Sequence, residues 1–168
     1  MVVLRLLLSL CLLLGWSFPA SAHMGRTITF LCPTGTLNEV AANMTAAYMG
    51  EQMARNVKVV AHDGTIRCLD GIRDHEAPMA LVPEDRWPGD DEALVRVGDS
   101  LQVAGTVFVL VMGREAAGRL QFSLVPQYLL RLENVLSGMD ISTGLEKAGN
   151  GEGARKIALD LLREADLL

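Results

Sequence analysis

The sequence predicts an α/β fold, a mostly parallel sheet flanked by helices. Three observations carry that prediction. Short apolar strands alternate with helical periodicity between Thr27 and Pro83. A small, hydroxylated, glycine-bearing turn, Pro33-Thr34-Gly35-Thr36, joins the first strand to a long helix. A strongly β-forming run, Leu101–Met112 (LQVAGTVFVLVM), reads as a central buried strand. The resulting β-α-β-α-β order is that of a parallel sheet covered on both faces.

Taken in order, residues 1–22 read as a secretory signal peptide with cleavage after Ala22. Arg5 is the basic residue, Leu6–Leu14 the apolar run and Pro19-Ala20-Ser21-Ala22 the small-residue site. The run is too short for an ordinary membrane span. Cys11 lies inside the run rather than at its end, which argues against lipidation. The mature chain, from His23, is short enough for one domain and is predicted to be periplasmic. Thr27–Cys32 is the first strand. Leu37, Val40, Ala41, Met44, Ala47 and Tyr48 then mark one buried face of a helix running to Arg55. Asn56–Ala61 is a second strand, ended by His62-Asp63-Gly64. Thr65–Glu76 is a short helix with Ile66, Leu69 and Ile72 on one side, weakened by Gly71. Pro78–Pro83 is a third strand, and Glu84–Glu92 a polar loop in which Trp87 is a surface anchor or partial plug. Ala93–Val97 precedes the long strand. Pro126 starts a helix with Tyr128, Leu129, Leu132 and Leu136 as its stripe. Met139–Thr143 is a short strand, Gly144–Gly153 a loop, and Ala154–Leu168 a final helix with Ala154, Ile157, Ala158, Leu161, Ala165 and Leu168 on one face.

A net charge of −5, no dense Lys/Arg run and few aromatic residues argue against nucleic acid as a partner. After cleavage Cys32 and Cys68 remain. In an oxidising compartment they are a candidate disulfide, the alternative being two buried thiols. His62, Cys68 and His75 lack the close-paired spacing of a metal site. With no nucleophile elbow, metal-ligand set or phosphate-binding loop, the chain reads as a non-enzyme without cofactor. The turn at Thr34–Thr36 is the candidate ligand contact, because a helix start points free N–H groups and a positive dipole end outward.

The order of motifs resembles the type II periplasmic solute-binding proteins, above all the receptors of TAXI-type TRAP transporters, with the type II receptors of ABC transporters behind them. The residues that carry the resemblance are the "ITF…TGT" strand-turn-helix from Ile28 to Tyr48 and the "V.VVA..G" strand from Val57 to Gly64. They continue through Gly71–Val82, with Asp74 and Ala80-Leu81-Val82, and the hydrophobic strand Gly105–Met112. Last comes the turn Gly149-Asn150-Gly151-Glu152-Gly153-Ala154. The resemblance implies a receptor whose two lobes close on a small solute and deliver it to a membrane permease or a sensor. It places residues 23–113 in a first α/β lobe and 114–168 in a helical crossover and the remnant of a truncated second lobe. Carried over by position, Thr34, Gly35, Thr36 and Asn38 contact solute from the first lobe, and Asn150, Gly151 and Glu152 from the second. A carboxylate at Glu152, where a small hydroxyl residue is common in the family, reads as a cap on the helix start. The alternative function is a single-lobe periplasmic interaction module without transport, with a homodimer replacing the missing lobe.

Overall fold

The structure is a computed structural model that describes residues 27–139, 141–148 and 152–168. The leader expectation and the site residues Asn150 and Gly151 therefore lie outside the described residues. Strand β1 (Ile28–Pro33) leads through Gly35 into α1 (Thr36–Gln52). Then follow β2 (Val57–His62), α2 (Gly64–Arg73) and β3 (Met79–Pro83). Both β1–β2 and β1–β3 are parallel pairs, so the first half of the chain forms the predicted β-α-β-α-β unit.

The second half of the sheet is antiparallel, and the whole sheet is mixed rather than mostly parallel. The run Leu101–Met112, read as one strand, is a hairpin: β5 (Leu101–Val103) turns at Ala104-Gly105 into β6 (Thr106–Gly113). Both turn residues have positive φ, 47° and 79°, as a two-residue hairpin of primed type requires. A tight turn of this kind forces antiparallel pairing. β6 then lies antiparallel between β3 and the edge formed by β4 (Leu94–Arg96) and β5. The six-stranded order is β2-β1-β3-β6-β4, with β5 also on β6. Between β4 and β5, Gly98 (φ 72°) makes the out-of-register step; a Cβ there would stand 3.2 Å from the Pro126 Cα.

Alternation along the strands separates two cores. Phe30, Cys32, Met79, Leu81, Phe108, Leu110 and Met112 face α1. Leu31, Ala80, Val82, Val109 and Val111 face α2, with Trp87 packed at the margin as the anchor reading expected. Gly71 has a packing role here: a Cβ on it would lie 2.8 Å from Leu31 Cδ1 and 3.1 Å from Glu76 Oε2, so its absence lets α2 settle on β1. Ile66, assigned to the buried stripe of α2, is instead 74% exposed; Cys68, Leu69 and Ile72 take that face.

After β6 come a one-turn α3 (Arg114–Ala117), a 3-10 turn at Leu120–Phe122 and α4 (Val125–Leu136), with Pro126 in its first turn. Then follow α5 (Ser142–Lys147) and α6 (Glu152–Glu164). Ser142–Lys147 is helical, so the short strand expected at Met139–Thr143 and the loop expected from Gly144 are corrected. The single-sequence pattern there was too short to separate the two periods. Leu129, Leu132 and Leu136 of α4, Ile141, and Ala154, Ala158, Leu161 and Leu162 of α6 are buried in the same core as Phe30 and Met44. Segment 114–168 thus packs back against α1 and β5. This explains why α1 is buried beyond one stripe, with Ala42, Thr45, Ala46 and Met49 enclosed as well. Small residues on α1 and α6 allow that close approach.

Candidate functional site

The candidate site lies at the carboxyl ends of β1 and β3. β1 is followed by a neighbour on one side (β2) and β3 pairs on its other side, while α1 and α2 leave for opposite faces. Chain direction around the sheet therefore reverses at β1. In open α/β sheets such a reversal leaves a crevice above the strand ends, between the turns that diverge there. Here those turns are Thr34–Thr36 after β1 and the 3-10 turn Glu84–Arg86 after β3.

Gly35 is the residue before the first turn of α1 and has φ 126°, a conformation that a side chain would strain. A Cβ there would also stand 3.3 Å from Asn38 Nδ2. The Thr34 amide donates to the His62 carbonyl (2.8 Å), tying the turn to the end of β2. Asn38 Nδ2 donates to the Thr34 carbonyl (3.0 Å), so this predicted contact residue braces the turn. The Gly35 N–H donates to Glu39 Oε1 (3.3 Å). Glu39 is buried and had not been singled out from sequence; an acidic residue in the first turn of a helix was the available signal. Its carboxyl group takes up part of the positive helix end that an anionic ligand would otherwise use.

Beyond the end of β3, Arg96 Nη1 meets Glu84 Oε1 at 2.8 Å, Arg96 Nη2 donates to Ser100 Oγ at 2.8 Å, and Ser100 Oγ donates to Glu84 Oε1 at 3.2 Å. This closed triangle fixes the turn after β3 to the β4–β5 edge. It was invisible in sequence because Glu84 follows β3 while Arg96 and Ser100 belong to the β4 edge, and only β6 lying between β3 and β4 brings them together. The structure brings Thr34, Gly35, Thr36 and Asn38 together. Glu152 opens α6, whose body packs on α1.

Cys32 and Cys68 are free, buried thiols in this structure. Cys32 packs in the α1 core, whereas Cys68 sits on α2 in the core of the other face. Burial pushes the Cys32 thiol up to about 12, with Cys68 and Glu39 adding to the effect. Burial likewise raises Cys68 to about 11, against a hydrogen bond with the His62 backbone that lowers it. Both folded values exceed the ordinary 9.0, so the unfolded chain loses these protons first. Stability from the two thiols is complete below pH 9 and declines as pH rises from there toward 11–12, by roughly 1 kcal/mol per pH unit for each thiol. Denaturant melts between pH 8 and 11 check this. Alanine at both positions is expected to flatten the alkaline limb, and native protein is expected to resist iodoacetamide at pH 8.

A cavity of 720 Å³ lies at the opposite end of the sheet, under the starts of β1 and β3. Thr29, Arg55, His75, Glu76, Arg114 and Arg119 contribute its polar lining. Within it, Arg119 Nη2 meets Glu115 Oε1 at 2.6 Å, which holds the Glu115 carboxyl below its usual range. Arg114 donates to the Asp91 and Glu92 carbonyls. His62 Nε2 and Glu76 Oε2 are 3.8 Å apart beside α2. Among the described residues no three His, Cys, Asp or Glu side chains form a group able to hold a metal ion.

No protein-family model matches the chain, and neither does any curated protein or solved structure.

Proposed function

We propose that the chain is an exported binding module that holds a small polar solute above the carboxyl ends of β1 and β3, for delivery to a membrane permease or a sensor. The observation that carries this reading is the reversal of strand order at β1, with a glycine-bearing helix start on one side and a braced polar turn on the other. The Leu37 and Asn38 amides of the first helical turn would donate to the solute, and the Glu84–Arg96–Ser100 triangle would hold the facing wall in place. Binding, not catalysis, is the task that such an arrangement favours. Export rests on the leader-like residues 1–22.

The test is thermal shift of the mature chain against amino acids, dicarboxylates and phosphate. A true ligand at a hundred times its Kd stabilises the fold by about 2.7 kcal/mol. A Gly35→Val variant, strained at φ 126°, is expected to lose that response. No shift with any member of the panel counts against the reading.

A second reading, a single-lobe interaction module without transport, is favoured by one observation. Segment 114–168, which the family resemblance assigned to a second lobe, shares its core with the first. A flat thermal response together with a stable dimer at micromolar concentration is the result expected on this reading.

A further inference from the structure

Among the described residues, β2 is hydrogen-bonded to a neighbouring strand on one side only. The Ile28 N–H donates to the Asn56 carbonyl and the Thr34 N–H to the His62 carbonyl, which fixes the phase of the strand. Backbone groups of Lys58, Val60 and His62 face β1. Those of Val57, Val59 and Ala61 face outward, and three N–H and three C=O groups line an open edge. Val57 and Val59 line two adjoining cavities of about 530 Å³ each along this edge, and Ala61 lines one of them.

The walls of that groove are basic in a chain of net charge −5. Arg55, Arg155 and Arg163 line one cavity, and Lys58 and Arg155 the other. Arg163 is engaged with Asp160 at 3.3 Å, whereas Arg55 and Arg155 have no ion-pair partner among the described residues. The acidic side chains present are Glu51, which is exposed, and Glu39, which turns toward Gly35. Self-pairing of two β2 edges would bring both copies' Arg155 and Lys58 together, like charge on like. An extended acidic segment faces no such repulsion, and its main chain would meet the free donors and acceptors.

We propose that the β2 edge is a docking site for an extended, acidic peptide segment of a partner protein, added as a further strand beyond β2 and held by Arg155, Arg55 and Lys58. This surface is separate from the crevice over β1 and β3, so it stands or falls independently of solute binding.

The experiment titrates the full mature chain with a short fluorescent peptide of alternating valine and glutamate, and with a matched valine–lysine peptide. Backbone amide exchange is then read residue by residue. The proposal expects saturable binding of the acidic peptide alone, weakened by salt, with new protection confined to the Val57, Val59 and Ala61 amides. Arg155→Glu and Lys58→Glu, both at exposed positions, are expected to weaken binding about tenfold each while leaving the melting temperature unchanged. Absence of protection at those amides with the acidic peptide overturns the proposal. So does equal binding of the lysine peptide. Protection of the same amides in the protein alone at high concentration also overturns it, by making a second copy the occupant.

Discussion

Phe108→Ala is expected to lower the unfolding free energy by about 3–5 kcal/mol, a large share of the ~5–15 kcal/mol available to a domain of this kind. Phe108 is fully buried on β6, the central strand of the antiparallel half. It stands opposite Pro83 at the end of β3 on one side and Leu101 of β5 on the other. Removing its ring leaves a cavity that strands on both flanks prevent from collapsing, so the cost lies above simple transfer of the lost atoms. The loss should also reach the candidate site, because Pro83 leads directly into the turn carrying Glu84. Urea melts give the stability change. Faster amide exchange at Glu84–Arg86 than at Thr36–Val40 would register the local part.

Leu162→Ala tests whether the C-terminal helices belong to the same cooperative unit as the sheet. Leu162 is fully buried on α6 and packs in the core that contains Phe30 and Met44. The expected cost is about 2–5 kcal/mol, expressed as one transition at lower denaturant with an unchanged slope. Coincident melts by far-ultraviolet circular dichroism and Tyr or Trp fluorescence check this, since Tyr48 and Tyr128 pack on this core and Trp87 on the other. Two separate transitions would mean that 114–168 unfolds on its own.

The first half of the fold was legible because its strand and turn signals agreed, although the buried face of α2 was misplaced at Ile66. The period-3.6 stripe of α1, the strand runs on either side and the glycine at the turn all indicate the same β-α-β-α-β unit, and the parallel pairs follow. The hairpin at Ala104-Gly105 was hidden for a specific reason. Ala-Gly is not among the strong two-residue hairpin signals, and the apolar residues on both sides made one continuous run. Missing that turn also missed the antiparallel half of the sheet. The core each thiol joins was not legible in the sequence, because it depends on where α2 packs. Likewise, Leu162 lay outside the predicted stripe of the last helix because the buried face of α6 is broad enough to enclose Leu161 and Leu162 together. Of the candidate site, the turn Thr34–Asn38 was readable from its chemistry, while Glu39 and the Glu84–Arg96–Ser100 triangle required the tertiary fold.

Solute binding above the carboxyl ends of β1 and β3, as proposed, is tested most directly by a nitrogen-15 NMR titration of the mature chain with the amino-acid, dicarboxylate and phosphate panel. Saturable amide shifts concentrated at Thr34–Asn38 and Glu84–Arg86, with the far end of the sheet unmoved, are the predicted result. Shifts confined to the 720 Å³ cavity around Thr29, His75 and Arg119, or no shifts with any of these solutes, would contradict it.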